Sequence, residues 1–338
     1  MHVLILGGGH FLGRAIAEMA VIRGWNVSTF NRGRSSTKIK GVAHVLGDRT
    51  RARDVEALSK AGSWDAVVDT SAQEPAHVRR SAMALRTSAG LYVLVSSLTA
   101  YAEWPAGGLT EDSPVRAGRA DLTATSPEIV SLPASARFGT LKAGCEVAAT
   151  ESFGHSSLVV RPGLIVGPHE RKGRLPWWLR RVHRGGSVLV PGEPGRRIQM
   201  LDVRDLAVFL LDLVAAGATG PINATGEPVT WAEFLAACGR TTGASPPPVW
   251  VDDGWLESMG VRPLRDVPLW QACAGMWDVR SERARASGLT VRPMPDTLAD
   301  TWAWIRRESP QQPRFGLGPA EERHLLASWL STSTSPGR

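Results

Sequence analysis

Seven residues near the start of the chain, Gly7-Gly8-Gly9-His10-Phe11-Leu12-Gly13, have types and spacing that could hold a phosphate. They follow a short apolar run, Val3–Leu6, and open a helix-like stretch, Arg14–Ile22, which Gly24 stops. Such a turn needs residues tolerant of unusual backbone angles, and a helix N-terminus offers unpaired N–H groups to a pyrophosphate. The spacing is GxxGxxG with His10 at the middle position; GxGxxG would need glycine at Leu12. Gly7, Gly9, His10, Phe11 and Leu12 are thus candidate dinucleotide-binding residues. A second apolar run, Val27–Phe30, ends in Asn31-Arg32-Gly33-Arg34. NAD enzymes usually carry an acid there, which binds the ribose hydroxyls. No acid is present, and Arg32 and Arg34 suit a 2′-phosphate, because arginine forms charge-assisted bonds to phosphate oxygens. The expected cofactor is NADP in preference to NAD. Asp48 and Arg49 come after a third run, His44–Leu46, and are further candidate cofactor-binding residues; Asp48 could accept from an adenine amino group. Thr70 and Ser71 follow the fourth run, Ala66–Asp69, and should pass under the cofactor.

Other chemistries lack their residues. The eight histidines form no HxH or HExxH cluster, and the three cysteines, Cys145, Cys238 and Cys273, form no CxxC, so no metal site is expected. GxSxG is absent, which removes an α/β-hydrolase. Cys145 reads as a buried structural thiol, and Glu103, Glu111 and Asp112 as loop charges. The net charge of +7 raises the question of nucleic acid or anionic lipid, but the arginines are scattered rather than clustered. The densest basic and aromatic stretch, Arg174–Arg184, reads as a helix in which Trp177 or Trp178 lines a substrate pocket.

The elements that must position these residues alternate in the first half of the chain. The four runs above, with Leu91–Ser96 and Leu158–Val160, are short and apolar on both faces, as strands of a buried parallel sheet are. Helix-like stretches between them predict a doubly wound α/β Rossmann sheet. Residues 1–165 and about 199–225 form the predicted dinucleotide-binding domain. Residues 166–198 and 226–310 form a smaller substrate-binding lobe, and 311–338 a tail with one helix, Pro319–Leu330. Three unpaired cysteines, the absence of a leader-like start and the absence of a membrane-length apolar run point to a soluble cytoplasmic protein.

Six segments, in order, resemble the extended and atypical branches of the short-chain dehydrogenase/reductase superfamily, the NAD-dependent epimerase/dehydratase type. Five are Gly47-Asp48, Ser96–Tyr101, Phe138–Lys142, Arg161–Pro168 and Leu201–Ala207. The sixth is the glycine turn that precedes them, whose bulky His10 is similar to the GGTRFLG variant of atypical members. The resemblance spans roughly residues 1–240. It implies a Ser, a Tyr and a Lys as catalytic residues. Ser97, four residues before Tyr101, matches the serine of SSxxxYG and would orient a substrate oxygen. Lys142 matches the lysine of YxxxK and would bind the nicotinamide ribose. Pro162, Gly163 and Ile165 would lie beside the cofactor. The substrate would be a small polar or natural-product metabolite, undergoing carbonyl/alcohol redox or an epimerase- or dehydratase-like step. A homodimer is compatible with the family, a nucleic-acid partner is disfavoured, and no membrane is implied.

The departure is Phe138, which holds the tyrosine's place. Spacing of i, i+4 puts Phe138 and Lys142 on one helix face, but phenylalanine has no proton to exchange. Tyr92 sits inside a strand, which leaves Tyr101 as the candidate substitute acid. Four readings of Phe138 stay open: a natural variant whose substrate needs no phenol, a non-redox step in which the bound cofactor is structural, a pseudoenzyme, or a tyrosine deliberately replaced; a cofactor-sensing regulator without turnover is a further reading of the chain. Some atypical relatives bind RNA, which supplies a reading of a different class.

Overall fold

A computed structural model describes residues 1–33, 39–308 and 315–333. In chain order the elements are β1 (His2–Leu6), α1 (Phe11–Ile22), β2 (Asn26–Asn31), β3 (Val42–Leu46), α2 (Ala52–Ser59), β4 (Trp64–Asp69), α3 (Pro75–Leu85), β5 (Ala89–Val95), α4 (Pro127–Val130), α5 (Ala134–Phe153), β6 (Ser157–Pro162) and β7 (Leu164–Val166). They continue as α6 (Arg174–His183), β8 (Val188–Pro191), β9 (Arg197–Asp202), α7 (Val203–Ala215), β10 (Gly220–Ala224), β11 (Pro228–Thr230), α8 (Trp231–Thr242), β12 (Pro248–Val251), α9 (Asp253–Ser258), α10 (Glu282–Ala286), α11 (Met294–Glu308) and α12 (Pro319–Ser333). They fall into two compact units.

The first unit comprises Met1–Ile165, Leu201–Gly226 and Asp278–Val291. Its seven strands run parallel in the order β10-β6-β5-β4-β1-β2-β3. Successive side chains leave opposite faces of a strand, and here both faces are buried. Val3, Ile5, Val68, Val93 and Val160 join one apolar cluster with residues of α1 and α7. Leu4, Leu6, Val67, Leu94 and Val159 join a second with residues of α3 and α5. This double burial is why the strands read as unbroken apolar runs. Strand order reverses between β1 and β4, so the connections leaving these two strands diverge and open a crevice at their carboxyl ends.

The second unit comprises Val166–Met200, Glu227–Trp277 and Arg292–Arg338. It differs from the expected lobe in that Asp278–Val291 belongs to the first unit, where Ala284 and Leu289 join the core. Its centre is aromatic. Trp178, Trp231 and Phe234 are buried, with Trp178 and Trp231 ring centroids 5.0 Å apart. The expectation that Trp177 or Trp178 lines a pocket is corrected here. Both rings are buried, and their N–H groups donate to Leu317 and Pro268 carbonyls. The helix α12 is fastened to α6 by buried Glu322, which accepts from Arg181 Nε at 2.6 Å and from Arg184 at 2.6 Å. Among the described residues no helix is long and apolar enough to cross a membrane.

Candidate functional site

The crevice of the first unit is a cleft of about 480 Å³ at the ends of β1, β2, β3 and β4. Its walls include Gly7, Gly8, Gly9, His10, Asn31 and Arg32 on one side. Asp48, Arg49, Thr70, Ser71, Gln73, Glu74 and His77 line it as well.

The glycines are required by close approach. Gly7 has φ +116°, and a Cβ there would meet Thr70 Oγ1 at 2.5 Å. A Cβ on Gly13 would meet Gly8 N at 2.6 Å. Bare backbone therefore lines the turn that leads into α1. His10 is the N-cap of α1, with no side-chain capping bond and no acidic residue in the first turn. The N-terminal end of a helix suits an anion. Phe11 enters the helix with φ +41°, and Leu12 is buried in the core. The cradle that added side chains would fill fits a dinucleotide's phosphates.

Asn31, at the end of β2, accepts from Gly33 N at 2.9 Å, which folds the chain back at the cleft rim and leaves Arg32 exposed. Arg34 lies outside the described residues. Asp48 lines the cleft, and its Oδ1 accepts from Thr50 N and Thr50 Oγ1 at 3.0 and 2.8 Å. These bonds, with Arg32 and Arg51 nearby, hold its carboxyl below the usual range, so it stays an acceptor. Arg49 differs from expectation. Its guanidinium is engaged with Asp69 through two bonds of 2.8 Å and with Ser71 Oγ at 2.9 Å. It builds the wall of the cleft and is not a spare cation for a ligand. Gln73, Glu74 and His77 are site residues that sequence reasoning misses. They line the cleft because α3 begins at Pro75, directly beyond the β4 loop. The proline at the first helical position is the available signal.

The family-type residues gather at the ends of β5 and β6 and on α5. Buried Lys142 donates through Nζ to Ala72 O at 2.8 Å and Val95 O at 3.1 Å, tying the loop after β4 to the end of β5. Burial lowers its pKa, opposed by Cys145, Asp69 and Glu146. Phe138 lies 45% exposed one turn earlier, its ring 5.7 Å from Lys142 Nζ. Ser97 caps a single 3-10 turn, Leu98–Ala100, and its Oγ accepts from Thr99 N. Gly163, after β6, donates to Ala224 O at 2.9 Å. Pro162 is buried and Ile165 half-buried; neither lines the cleft of the glycine turn.

Tyr101 is corrected. It is fully buried, its hydroxyl donates to Asn223 Oδ1 at 2.7 Å, and it accepts from Arg161 at 3.0 Å. Burial raises its pKa. The phenol belongs to a buried network and cannot serve a ligand as an acid. Arg161 in turn pairs with Glu146 at 2.7 Å, and Glu146 accepts from Ser96.

No family model matches the chain. Over 264 residues, 73% of the chain and 65% of the relative, it is 24% identical to the chloroplast stem-loop binding protein of 41 kDa b of Arabidopsis thaliana. Over 216 residues, 60% of the chain and 53% of the relative, it is 27% identical to the 2-alkyl-3-oxoalkanoate reductase of Shewanella oneidensis. The chain thus spans less than two thirds of the length of either relative. Among solved structures, it is similar to the Bordetella bronchiseptica enzyme WbmH in complex with NAD+, with TM-score 0.69 and 19% identity over 91% of this chain and 99% of that one. It is also similar to the NAD complex of UDP-glucose 4-epimerase from Thermus thermophilus, with TM-score 0.64 and 18% identity over 90% and 99%. The chain therefore has the extended short-chain dehydrogenase/reductase fold, the Rossmann architecture of the NAD-dependent epimerase/dehydratases.

Proposed function

We propose that this chain is an NADP-dependent enzyme of that fold, acting on a small polar or natural-product metabolite. The reaction is carbonyl/alcohol redox, or an epimerase- or dehydratase-like step. One observation carries the reading: the glycine cradle at α1 and Arg32, at a β2 end that carries no acid, line a single cleft. The 27% identical reductase supports the redox form. Gly7, Gly9, His10, Phe11 and Leu12 would hold the pyrophosphate, Arg32 the 2′-phosphate with Asn31 beside it, and Asp48 the adenine amino group. Thr70 and Ser71 would floor the site, Lys142 would bind the nicotinamide ribose, and Pro162, Gly163 and Ile165 would flank it. A nicotinamide cofactor supplies hydride transfer. Ser97 orients the substrate oxygen, and Phe138 shapes the pocket. Fluorescence titration with NADPH and NADH tests the reading. Tighter NADPH binding, lost in Lys142→Ala, is expected; tighter NADH binding refutes the cofactor assignment.

A second reading is binding of structured RNA. The observation in its favour is the relative named for stem-loop binding, together with the net charge of +7. A gel shift with a stem-loop RNA tests it. Charge-driven binding falls steeply with salt, so retention only at low salt counts against specific recognition.

A further inference from the structure

We infer that Ser97, held as a hydrogen-bond donor by Thr99, takes over the proton transfer that a tyrosine at position 138 would perform. The inference rests on the carbonyl-redox form of the reading above.

A serine hydroxyl has one proton to give and two lone pairs that accept. Ser97 Oγ accepts from Thr99 N at 3.3 Å and from Thr99 Oγ1 at 3.0 Å. One neighbour thus fills both acceptor positions and leaves the Ser97 proton for a ligand. The partner it suits is an acceptor, a carbonyl oxygen or an alkoxide, and not another donor.

The turn is fixed from both sides. Arg116 Nε donates to Thr99 O at 3.1 Å. A Cβ on Gly139 would collide with the same oxygen, so α5 rests directly on this turn. Neither phenol of the chain is available: the Tyr92 hydroxyl is buried and donates to Asp69 Oδ2 at 2.8 Å. The Tyr101 hydroxyl donates to Asn223. Lys142 spends two of its three N–H donors on carbonyls. Ser97 and Thr99 are both half-buried, which gives Thr99 access to solvent.

The step balances without a phenol. A bound reduced nicotinamide would supply a hydride to the carbonyl carbon of the substrate, leaving the carbonyl π pair on oxygen as an alkoxide. That alkoxide takes the Ser97 proton. The Ser97 oxygen recovers a proton from Thr99 Oγ1, and Thr99 recovers one from water. The sum is carbonyl, hydride and solvent proton to alcohol, with the chain unchanged. Ser97 touches the substrate; Thr99 acts through it, as a positioning residue.

The test uses the full chain, NADPH and isatin as the carbonyl probe. Thr99→Val keeps the shape and removes the hydroxyl. It should lower kcat about 100-fold, the bottom of the range for a general acid, with KM and NADPH affinity unchanged. Thr99→Ser should restore the rate. Adding Phe138→Tyr to Thr99→Val should recover turnover by supplying a phenol beside Lys142. In the wild type, kcat should depend on the deuterium fraction of the solvent along a curve, as two protons in flight require; in Thr99→Val the dependence should be linear. Wild-type turnover in Thr99→Val overturns the inference. So does a protein that binds NADPH yet reduces isatin only after Phe138→Tyr, or not at all in either form. Absence of NADPH binding is a different failure: it removes the cofactor reading first, and this inference with it.

Discussion

The guanidinium of Arg49 faces the carboxylate of Asp69 in a two-pronged pair, Nη1 to Oδ1 and Nη2 to Oδ2, each at 2.8 Å. Asp69 ends β4 with no exposed surface, and it also accepts from Tyr92 and from the Ser71 backbone. The pair therefore locks the β3–α2 loop, β4 and β5 into the wall of the cleft. Removing one partner of a buried pair leaves the other charge unpaired, which costs about 3–5 kcal/mol. Asp69→Asn should lower unfolding free energy by that order in urea titration. Arg49→Lys should destabilise as well, since an ammonium cannot make the planar two-bond contact.

The same pair sets a pH dependence. Burial pushes the Asp69 carboxyl up, but the Arg49 charge and the bonds from Arg49, Tyr92 and Ser71 hold it below its ordinary value. The folded pKa thus lies below the unfolded one, about 3.9. The stabilisation is complete above the unfolded value and disappears as pH falls through the folded one. The stability gap between wild type and Asp69→Asn should stay constant from about pH 7 to about pH 5, then close in stronger acid. A gap that widens on acidification contradicts the assignment.

In the proposed site Arg32 would discriminate between the two cofactors. It is exposed on the cleft rim beside Asn31, at the end of β2 where an acid would favour NAD. A charge-assisted bond contributes about 1.5–3 kcal/mol, roughly 10- to 100-fold in affinity. Arg32→Asp should weaken NADPH by that factor and leave NADH unchanged or tighter. Equal loss for both cofactors would mean that Arg32 reads the shared phosphates instead.

What is legible in the sequence follows from local physics. Strands buried on both faces are apolar at every position, so β1 and β4 declare themselves without periodicity. The glycine turn is legible because only bare backbone passes Thr70 and Gly8 at the observed distances. The role of Tyr101 is hidden because its partner, Asn223, lies 122 residues away and no local pattern announces the pairing. Arg49 is hidden for the same reason, since Asp69 claims it across the sheet. The strands β8, β11 and β12 have three or four residues each, too few for a pattern. The transfer of Asp278–Val291 to the first unit depends on tertiary contacts that composition does not encode.

Behind Ser97, the buried pair Glu146–Arg161 links α5 to β6 through bonds of 3.0 and 2.7 Å. Ser96 and Tyr101 attach to its two ends. Glu146→Gln keeps the shape and removes the charge, so Arg161 is left with a buried, uncompensated guanidinium. A loss of about 3–5 kcal/mol in stability is expected. Glu146 lies one turn beyond Lys142 and the Ser96 side chain precedes Ser97, so the variant should also blunt Ser97-dependent turnover more than NADPH binding.

Gly13 offers the most direct test of the cradle. Its missing side chain lets the first turn of α1 pack against Gly8, and a Cβ there would sit 2.6 Å from Gly8 N, 2.9 Å from Gly8 Cα and 2.9 Å from Thr70 Oγ1. Two of the three atoms are backbone, so the glycine turn itself must shift. In a solvent-exposed helix the same change would stabilise by up to about 1 kcal/mol through the unfolded chain. Here the clash reverses the sign. Overpacking costs about 1–3 kcal/mol, and the displaced turn can no longer present its N–H groups to a phosphate. Gly13→Ala should therefore lower the melting temperature and abolish NADPH fluorescence enhancement, whereas Gly24→Ala, whose Cβ meets nothing within 4 Å but whose φ is +73°, should cost stability alone. Unchanged NADPH binding in Gly13→Ala would show that the turn is not the phosphate cradle.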